Sequence, residues 1–244
     1  MDIRKRYLGT VLGSIWAIIS PLFTITLIYV VMTYGLKVGV TAGDQSYINW
    51  LVSGMLAWFF VLEILSTGVA TIRENAHLVT KMRFPLHLLL IAKVASAMPI
   101  HILLMLLFML VVAIQGEGSF AYWIQLPYYF GCATLLTLGI NYFTASAQVF
   151  TRDIGALVGV LLQGLFWATP IFWREDLIAD SGFRFLVYSP FAYIITGYRD
   201  SLFDAVPFWH RPIETIIFWS ITIFILCIGI VFFQKMRPHF ADVL

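Results

Sequence analysis

The sequence predicts an all-α polytopic membrane protein, with six transmembrane helices in a single domain that covers residues 1–244. Three observations lead to this fold class. Hydrophobic residues make up 61% of the chain and charged residues only 11%, whereas a soluble domain has about 45–50% apolar and about 25% charged residues. Apolar windows of about 20 residues, which are long enough to cross a hydrocarbon core as helices, recur along the whole length. The polar segments between these windows are mostly short.

The apolar windows place the six spans at about Val11–Leu36, Trp50–Ile72, Leu86–Ile114, Leu126–Phe150, Gly155–Trp173 and Ile213–Phe233. An even number of spans puts both termini on one side of the membrane. The distribution of Lys and Arg decides which side, because these residues are retained in the cytoplasm. With the N-terminus inside, the cytoplasmic segments carry nine of these bases and the outer segments carry five. The predicted orientation therefore has the N- and C-termini in the cytoplasm.

An amphipathic N-terminal helix is predicted to precede the first span. The segment 2–10 combines the basic run Arg4, Lys5 and Arg6 with apolar neighbours such as Tyr7. This composition is typical of a helix that lies on the membrane surface. Membrane anchoring and the setting of topology explain the basic run as well as a role in ligand binding does.

Between the second and third spans, the hydrophilic segment 73–85 is predicted to be a cytoplasmic docking element. It carries three bases against one acid and stops at a proline, which ends a helix. As a helix, it would place His77 and Lys81 one turn apart on a polar face, and Leu78 and Met82 on an apolar ridge. A ridge of this kind fits a cleft on a soluble partner. An ordinary amphipathic turn at the membrane interface is the alternative.

Two ionisable residues in the predicted spans, Glu63 and Lys93, are candidates for an intramembrane charge pair. Charges inside a membrane are energetically unfavourable and are often functional. Both residues lie within a few helical turns of the same predicted membrane surface, on consecutive spans. Lys93 has an alternative, because its long side chain can reach the cytoplasmic interface. Glu63 is too short for that, so it needs a partner, a proton or a water-filled path.

On the outer face, about 40 residues separate the fifth and sixth spans. This stretch alternates charged residues with apolar and aromatic ones. Its segments 183–188 and 190–203 are predicted to be short helices at the membrane interface, where amphipathic segments rich in aromatic residues are most stable.

The motifs of the common enzyme classes are missing from the sequence. It has no Gly-rich phosphate-binding loop followed by Lys and Ser or Thr, no histidines at metal-ligand spacing and no serine in a nucleophile elbow. We therefore expect no catalytic residue, no metal site and no cofactor in this chain. The energy for any transport is expected to come from a partner.

Four motifs, in order along the chain, together resemble those of one protein family. They are Arg6-Tyr7-x-x-Thr10-x-Leu12-Gly13-x-x-Trp16-x-x-x-x-Pro21, Asn75-x-x-Leu78-Val79-x-Lys81-x-x-Phe84-Pro85, Phe150-x-Arg152-Asp153-Ile154 with Gln163 and Thr169-Pro170, and Ser189-Pro190-x-x-Tyr193 with Tyr198-Arg199. They resemble the type-2 ABC exporter permeases that move polysaccharides such as O-antigen, capsule or teichoic acid. The resemblance covers nearly the whole chain.

The resemblance implies a permease of the bacterial inner (cytoplasmic) membrane that exports lipid-linked polysaccharide. Its implied partners are a second copy of the chain, two copies of a cytoplasmic ABC ATPase that bind ATP and Mg, and the membrane lipids. No nucleic acid is expected to bind. The chain itself would perform no covalent chemistry.

The resemblance also assigns residues to roles. The implied ATPase-coupling residues are Asn75, His77, Leu78, Val79, Lys81, Met82 and Arg83. The implied substrate entrance, which would hold headgroup phosphates, consists of Arg4, Lys5, Arg6, Tyr7 and Trp16. The implied outer gate consists of Pro190, Tyr193, Tyr198 and Arg199.

Aromatic residues within the spans are candidates for the wall of a polysaccharide channel. Aromatic faces pack on the C–H faces of sugars, and Tyr and Trp also form hydrogen bonds at their edges. The candidates are Tyr29, Tyr34, Trp58, Phe59, Phe60, Phe166, Trp167, Phe172 and Trp173. For any single one of them, packing against lipid or another helix is the competing explanation.

Three other functions are compatible with parts of the sequence. A type-2 ABC exporter of a drug or small lipid would share the architecture and differ in its substrate. A proton-coupled transporter would use Glu63 and work without an ATPase. A membrane-embedded glycosyltransferase is disfavoured, because the predicted cytoplasmic loops are short and basic.

Overall fold

The computed structural model describes residues 15–37, 47–81, 84–178 and 181–244. The secondary structure in these ranges is helical, and they contain no strand. Their α-helices are α1 Trp16–Val30, α2 Tyr47–Gly68, α3 Thr71–Glu74, α4 Ala76–Lys81, α5 His87–Gln115, α6 Leu126–Phe150, α7 Asp153–Ala168, α8 Pro190–Arg199, α9 Pro212–Met236 and α10 Phe240–Val243. Short 3-10 and π-helical turns lie between several of them.

Four helical segments in the described part of the chain are long and apolar enough to cross a membrane. They are Trp16–Gly35, Tyr47–Gly68, His87–Gln115 and Pro212–Val243. Each coincides with a predicted span, which confirms the prediction of an all-α polytopic membrane protein. The predicted spans at Leu126–Phe150 and Gly155–Trp173 correspond to α6, which has the predicted bounds, and to the shorter α7.

Helices α7 and α2 both end earlier than predicted. Helix α7 stops at Ala168 instead of Trp173, because Thr169 is extended (ψ 144°). Thr169 precedes Pro170, and a proline ring clashes with a helical conformation of the residue before it. Helix α2 stops at Gly68 instead of Ile72, and α3 begins three residues later.

Helix α6 is less apolar than the other long helices because it lies inside the bundle. Its buried residues include Thr137, Asn141 and Ser146. The amide of Asn141 donates a hydrogen bond of 2.9 Å to the carbonyl oxygen of Ile64 in α2, while Ser146 donates to the carbonyl oxygen of Tyr142 at 2.6 Å. These polar groups point to protein partners, so a helix of low hydropathy is stable at this position.

The packing of α6 against α9 depends on two glycines. A Cβ atom at Gly229 would collide with the carbonyl oxygen of Gly139, and one at Gly139 would lie 3.0 Å from the backbone of Leu226. The two helix backbones therefore approach more closely than side chains would permit, as is common between helices in membranes.

The bundle has two ends that differ in composition. At the end that carries α8, the helix is buried between α2, α6 and α9. At the opposite end, which carries α3 and α4, an apolar cluster includes Ile72, Leu86, Phe233 and Phe240. Phe240 of α10 is fully buried, with its ring centroid 5.9 Å from that of Phe233. We call these two regions the α8 end and the α3–α4 end.

Candidate functional site

A large cavity lies among α1, α2, α5 and α7. Its volume is about 1190 Å³. It extends from Glu74 and Asn75 at the α3–α4 end to residues near the middle of the long helices, such as Leu56 and Leu104. Such a volume exceeds the 300–1,000 Å³ that is usual for small-molecule sites.

Charged and polar side chains line much of this cavity. Glu63, Glu74 and Lys93 all border it, and the ammonium nitrogen of Lys93 lies 3.7 Å from a carboxylate oxygen of Glu74. Hydroxyl and amide groups add to the polar surface: Ser20, Thr24, Ser66, Thr67, Asn75, Ser96 and Gln163. A surface of this composition is wetted by water, although it lies among helices of membrane-spanning length.

Aromatic residues form one side of the same cavity. Four of the nine predicted channel aromatics border it: Trp58, Phe59, Phe60 and Phe166. The rings of Trp58 and Phe166 pack with their centroids 5.9 Å apart. Trp58 also contacts the ring of Phe191 in α8, at 6.2 Å. The aromatic side is therefore in direct contact with the α8 end.

The other five predicted channel aromatics lie outside the lining of this cavity. Tyr34 and Trp167 are among the most exposed large side chains of the described residues. Phe172 is buried against the rings of Phe166 and Trp167. Tyr29 packs against the ring of Tyr47, and the indole nitrogen of Trp173 donates to the carbonyl oxygen of Trp167.

Helix α8 begins at Ser189, whose hydroxyl accepts a hydrogen bond from the backbone N–H of Ala192 at 3.1 Å. Pro190 follows at the first helical position, where its missing N–H causes no loss. The hydroxyl of Tyr193 lies 3.0 Å from those of Tyr128 in α6 and Thr215 in α9. The prediction of short helices at 183–188 and 190–203 is confirmed, but α8 is buried within the bundle and not spread along its surface.

Arg199, the last residue of α8, is 4% exposed and ties three segments together. Its guanidinium donates to the carbonyl oxygens of Pro170 at 2.6 Å and Ile171 at 2.7 Å. It also donates to the carbonyl oxygen of Trp50 at 3.3 Å and lies 3.5 Å from the centre of that indole ring. A Cβ atom at Gly54 would lie 2.6 Å from the guanidinium, so the arginine fits only because this neighbour is glycine.

Burial lowers the pKa of Arg199 to about 9, so the guanidinium remains protonated at neutral pH. Its carbonyl partners belong to the extended segment after α7, where the helical hydrogen bonds have ended. These carbonyl oxygens would otherwise be unpaired, and an unpaired polar group inside a protein is destabilising. Arg199 thus connects the end of α7 to α2 and α8.

Asp200 and Arg211 form an ion pair beside Arg199. The guanidinium of Arg211 donates to both carboxylate oxygens of Asp200, at 2.6 and 3.0 Å. Asp200 is fully buried, whereas 29% of the Arg211 side chain is exposed. Burial raises the pKa of the Asp200 carboxyl to about 6, although Arg211 acts in the opposite direction.

His101 connects the cavity to α8. It borders the cavity and its Nε2 atom lies 2.9 Å from the hydroxyl of Tyr198, the residue before Arg199. Its ring packs against those of Phe60 and Phe130, with centroids at 4.6 and 5.5 Å. A buried hydrogen bond therefore links α5 to α8.

The predicted single helix over 73–83 is wrong. Residues 71–81 form two short helices, α3 and α4, with a break at Asn75 (φ −110°, ψ 31°). The side-chain amide of Asn75 donates to the carbonyl oxygen of Thr71 at 2.9 Å. Asparagine side chains compete in this way with the backbone hydrogen bonds of a helix.

Several predicted residues near this break are only partly covered by the structure. His77 is exposed and Leu78 is half-buried. For Val79 and Lys81 the structure describes the helical backbone alone, and Met82 and Arg83 lie outside the described residues. The apolar ridge of Leu78 and Met82 therefore stays a prediction.

The predicted substrate entrance lies almost entirely outside the described residues, since these begin at Ile15 and exclude Arg4, Lys5, Arg6 and Tyr7. Its one described member, Trp16, begins α1 and is 40% exposed.

Comparison with known protein families gives a match that extends over residues 2–203 and therefore over most of the chain. The matching family is described as the ABC-2 type transporter family. This chain belongs to the ABC-2 type transporter family.

Individual ABC-2 relatives are proteins of polysaccharide export. An O-antigen export system permease protein, RfbA, of Klebsiella pneumoniae is 25% identical over 100% of this chain and 92% of its own length. The RfbA permease of Myxococcus xanthus is 23% identical, and the match covers 99% of this chain and 91% of that protein. The polysialic acid transport protein KpsM of Escherichia coli is 23% identical, and the match covers 82% of this chain and 78% of that protein. The predicted family and the location in the bacterial inner membrane are confirmed.

In this ABC-2 protein, the structure brings part of the predicted site together. Glu63 and Lys93 border one cavity with four of the predicted aromatics, although the Glu63–Lys93 pair itself stays a prediction. The predicted gate residues Pro190, Tyr193, Tyr198 and Arg199 share α8. Sequence reasoning assigned no role to Asp200 and Arg211, or to Gln163 as a cavity residue. Charged residues in a stretch rich in apolar and aromatic residues are the signal that could have identified the ion pair.

Proposed function

We propose that this chain is the membrane-spanning subunit of an ATP-driven exporter of lipid-linked polysaccharide. In this proposal two copies of the chain form the channel, and two copies of a separate ATPase subunit bind ATP and Mg. All six predicted helices, including α6 and α7, cross the membrane. Both termini and the α3–α4 end then face the cytoplasm, and α8 lies near the outer surface.

The observation that carries the proposal is the composition of the cavity. A polysaccharide offers hydroxyl groups on its edges and C–H groups on the faces of its rings. The cavity provides hydroxyl and amide side chains as hydrogen-bonding partners, and Phe59 and Phe166 as aromatic surfaces. A drug-sized substrate is usually bound in a smaller pocket, of about 300–1,000 Å³, with few polar groups.

The α3–α4 end supplies the surface for the ATPase in this proposal. His77 is exposed there, and α3 and α4 follow directly on the cavity-lining helix α2. A push on α4 reaches the cavity through Asn75 and Glu74, which border it. The break at Asn75 gives this segment a hinge between two short helices.

The α8 end would act as the outer gate. Trp58 contacts both Phe166 of the cavity and Phe191 of α8, and Arg199 joins the end of α7 to α8. A tilt of α7 therefore moves the gate helix with it. One ATP-driven tilt would open the aromatic contact and let the polymer advance outward.

Affinity purification of the tagged chain in mild detergent tests the ATPase partnership. An ATPase subunit is expected to co-purify with the wild-type chain, and the double variant Lys81→Glu/Arg83→Glu is expected to lose it. The matched control is Lys235→Glu/Arg237→Glu, which makes the same charge change at the same spacing on exposed residues near the end of α9. The control is expected to retain the ATPase.

Three results would contradict parts of the proposal. Loss of the ATPase from both double variants would mean that overall charge, and not the α3–α4 end, governs binding. Retention by both would exclude the coupling role of Lys81 and Arg83. A wild-type chain that purifies alone, and whose transport stops on Glu63→Gln substitution, would favour the proton-coupled alternative.

A further inference from the structure

One side chain of the cavity lining, His101, also belongs to a cluster of four rings from four helices. It lies on α5, is 7% exposed and borders the cavity together with Phe60 of α2. The ring of Phe130 in α6 lies 4.8 Å from that of Phe60 and 5.5 Å from that of His101. The fourth ring is that of Tyr198 in α8, which lies 5.8 Å from His101. The cluster therefore marks the place where the cavity approaches α8.

The two nitrogen atoms of His101 have different surroundings. Nε2 lies 2.9 Å from the hydroxyl of Tyr198, which is fully buried. Nδ1 makes no hydrogen bond within the part of the chain that the structure describes, and it is not one of the fully buried polar atoms without a partner there. Because His101 borders the cavity, Nδ1 is the nitrogen that a molecule in the cavity can reach.

An imidazole ring with these surroundings can make two hydrogen bonds that depend on each other. In its neutral form the ring has one N–H donor and one acceptor nitrogen. A sugar hydroxyl both donates and accepts, so it can pair with Nδ1 in either state. Whichever role Nδ1 takes with the sugar, Nε2 takes the opposite role with Tyr198. The bond on one side of the ring thus sets the direction of the bond on the other side.

We infer that His101 binds a hydroxyl group of the polymer through Nδ1 and couples this binding to the gate helix α8 through Nε2. The inference rests on the proposed function, since it takes this cavity as the path of the polymer. The ring is rigid, so a bond that holds Nδ1 also fixes the angle at which Nε2 meets Tyr198. Hydrogen bonds weaken steeply as this angle departs from its optimum. Occupancy of the cavity therefore acts on Tyr198 and on the adjoining Arg199.

Three substitutions separate the roles of the two nitrogens. The side-chain amide of glutamine reaches about as far from the backbone as Nε2, whereas that of asparagine reaches only about as far as Nδ1. His101→Gln therefore keeps a partner for Tyr198 and lacks the group that binds the polymer. His101→Asn keeps the group for the polymer and loses the reach to Tyr198. Tyr198→Phe removes the hydroxyl itself, so it breaks the same bond as His101→Asn while the ring cluster remains.

ATP hydrolysis by the purified complex of the chain and its ATPase, in lipid nanodiscs, measures both effects. The probe is a lipid-linked polymer of uncharged hexoses, extracted from a bacterial strain without its own exporter. The hydrolysis rate with polymer, divided by the rate without it, is the stimulation. Its half-saturating polymer concentration reports binding, and its maximum reports coupling to α8. Size-exclusion chromatography shows which variants are folded.

We expect His101→Gln to raise the half-saturating concentration about fivefold, the factor that corresponds to a hydrogen bond of about 1 kcal/mol. Its maximal stimulation should change little. His101→Asn and Tyr198→Phe should instead lower the maximal stimulation and change the half-saturating concentration little. The control His87→Gln makes the same substitution at an exposed position of α5, outside the described cavity lining, and it should change neither quantity.

Variants that fail to fold do not remove the test. His101→Asn and Tyr198→Phe break the same bond, so either one is sufficient for the coupling. If His101→Gln does not fold, NMR of the wild-type chain labelled in its imidazole nitrogens replaces it. Addition of the polymer should then shift a ring-nitrogen signal that is missing from the spectrum of His101→Asn, and a spectrum without such a shift overturns the inference.

Each other pattern has one meaning. A wild-type half-saturating concentration in His101→Gln, or a wild-type maximum in Tyr198→Phe, overturns the inference and leaves the proposed function intact. Equal changes of both quantities in every variant, or the same changes in His87→Gln, also overturn it, because His101 then acts only through the packing of the bundle. A wild-type complex that the polymer does not stimulate, and that exports none of it from the strain, contradicts the proposed function itself.

Discussion

The two ends of the bundle are held together by different kinds of interaction. At the α8 end, Arg199, Asp200 and Arg211 form directed hydrogen bonds with fixed partners. At the α3–α4 end, Phe240 and its neighbours form an apolar cluster without such bonds between their side chains. The contacts of Arg199, Asp200 and Arg211 depend on the exact position of donors and acceptors, whereas those of the Phe240 cluster do not.

The difference bears on movement. Hydrogen bonds to a buried guanidinium weaken steeply when the geometry changes, so the α8 end should move as one body or not at all. Apolar contact depends on area and has no preferred direction, so the helices of the α3–α4 end can shift against each other at little cost. A partner that pushes on α4 therefore acts on the more compliant end.

The largest expected effect is that of Arg199→Met. It leaves the carbonyl oxygens of Pro170 and Ile171 buried and unpaired, which should cost about 4 kcal/mol of unfolding free energy. We expect a strong loss of folded protein, measured by size-exclusion chromatography of the solubilised chain. Arg184→Met, at an exposed arginine, is the control. Normal yield and thermal stability of Arg199→Met would show that the α8 end is not held by this side chain.

The ion pair at the α8 end should respond unequally to the loss of its two members. Arg211→Met leaves the Asp200 carboxylate buried without its partner, which should cost about 3 kcal/mol. Asp200→Asn leaves Arg211 able to reach solvent, because 29% of its side chain is already exposed. Thermal unfolding of the two variants should rank Arg211→Met well below Asp200→Asn. Equal destabilisation would contradict the assigned burial.

The raised pKa of Asp200 adds a pH dependence. Its folded value of about 6 lies above the ordinary 3.8, so the folded protein binds this proton more tightly than the unfolded chain. Its contribution to stability is therefore fully present below about pH 4 and is lost as the pH rises to about 6. The melting temperature of the wild type minus that of Asp200→Asn should fall across this window. A difference that rises or stays flat would contradict the shift.

A smaller effect is expected at the apolar end. Phe240→Leu keeps most of the buried volume and should cost about 1 kcal/mol, as volume-conserving core changes do. Export and ATPase binding should remain close to those of the wild type. Phe240→Asn, which places an amide in the same cluster, serves as the comparison and should destabilise more. If Phe240→Leu abolishes export, this end requires specific geometry after all, and the contrast between the ends fails.

The smallest effect is expected for Glu74→Gln. The carboxylate of Glu74 is 60% exposed and lies 3.7 Å from Lys93, and ion pairs of this exposure contribute about 1 kcal/mol or less. The midpoint of thermal unfolding should therefore change little. It can be measured by size-exclusion chromatography of the solubilised chain after heating. A large loss of stability would mean that Glu74 holds α3 in place by more than this pair.

The four helical segments long and apolar enough to cross a membrane were predictable, because apolar length is a local property of the sequence. The prediction failed at Asn75, where a side-chain amide breaks the predicted docking helix. It also failed at Thr169, where the following proline ends a helix that the apolar pattern continues. The cavity was only partly predictable. Glu63 was identified as an unusual charge in a span, but nothing in the sequence showed that Lys93 would lie beside Glu74.

The role of Arg199 shows why the other contacts of the site could not be predicted from the sequence. The motif resemblance identified Arg199 as a gate residue, but its partners are backbone carbonyl oxygens of residues 50, 170 and 171. Every residue has a carbonyl oxygen, so no residue type marks these positions. The pair of Asp200 and Arg211 was missed for a related reason, because ten intervening positions and a helix end determine whether the two side chains meet.

By itself, the sequence determined that this chain is an α-helical membrane protein with a polar island between its second and third apolar segments. Hydrophobic length and residue type suffice for that, because the transfer of each segment into a membrane depends on its own composition. The tertiary structure decided which polar groups lie together: the lining of the cavity, the buried guanidinium and the ion pair beside it. Those groups come from segments far apart in the chain, and only the packing of the helices brings them within hydrogen-bonding distance.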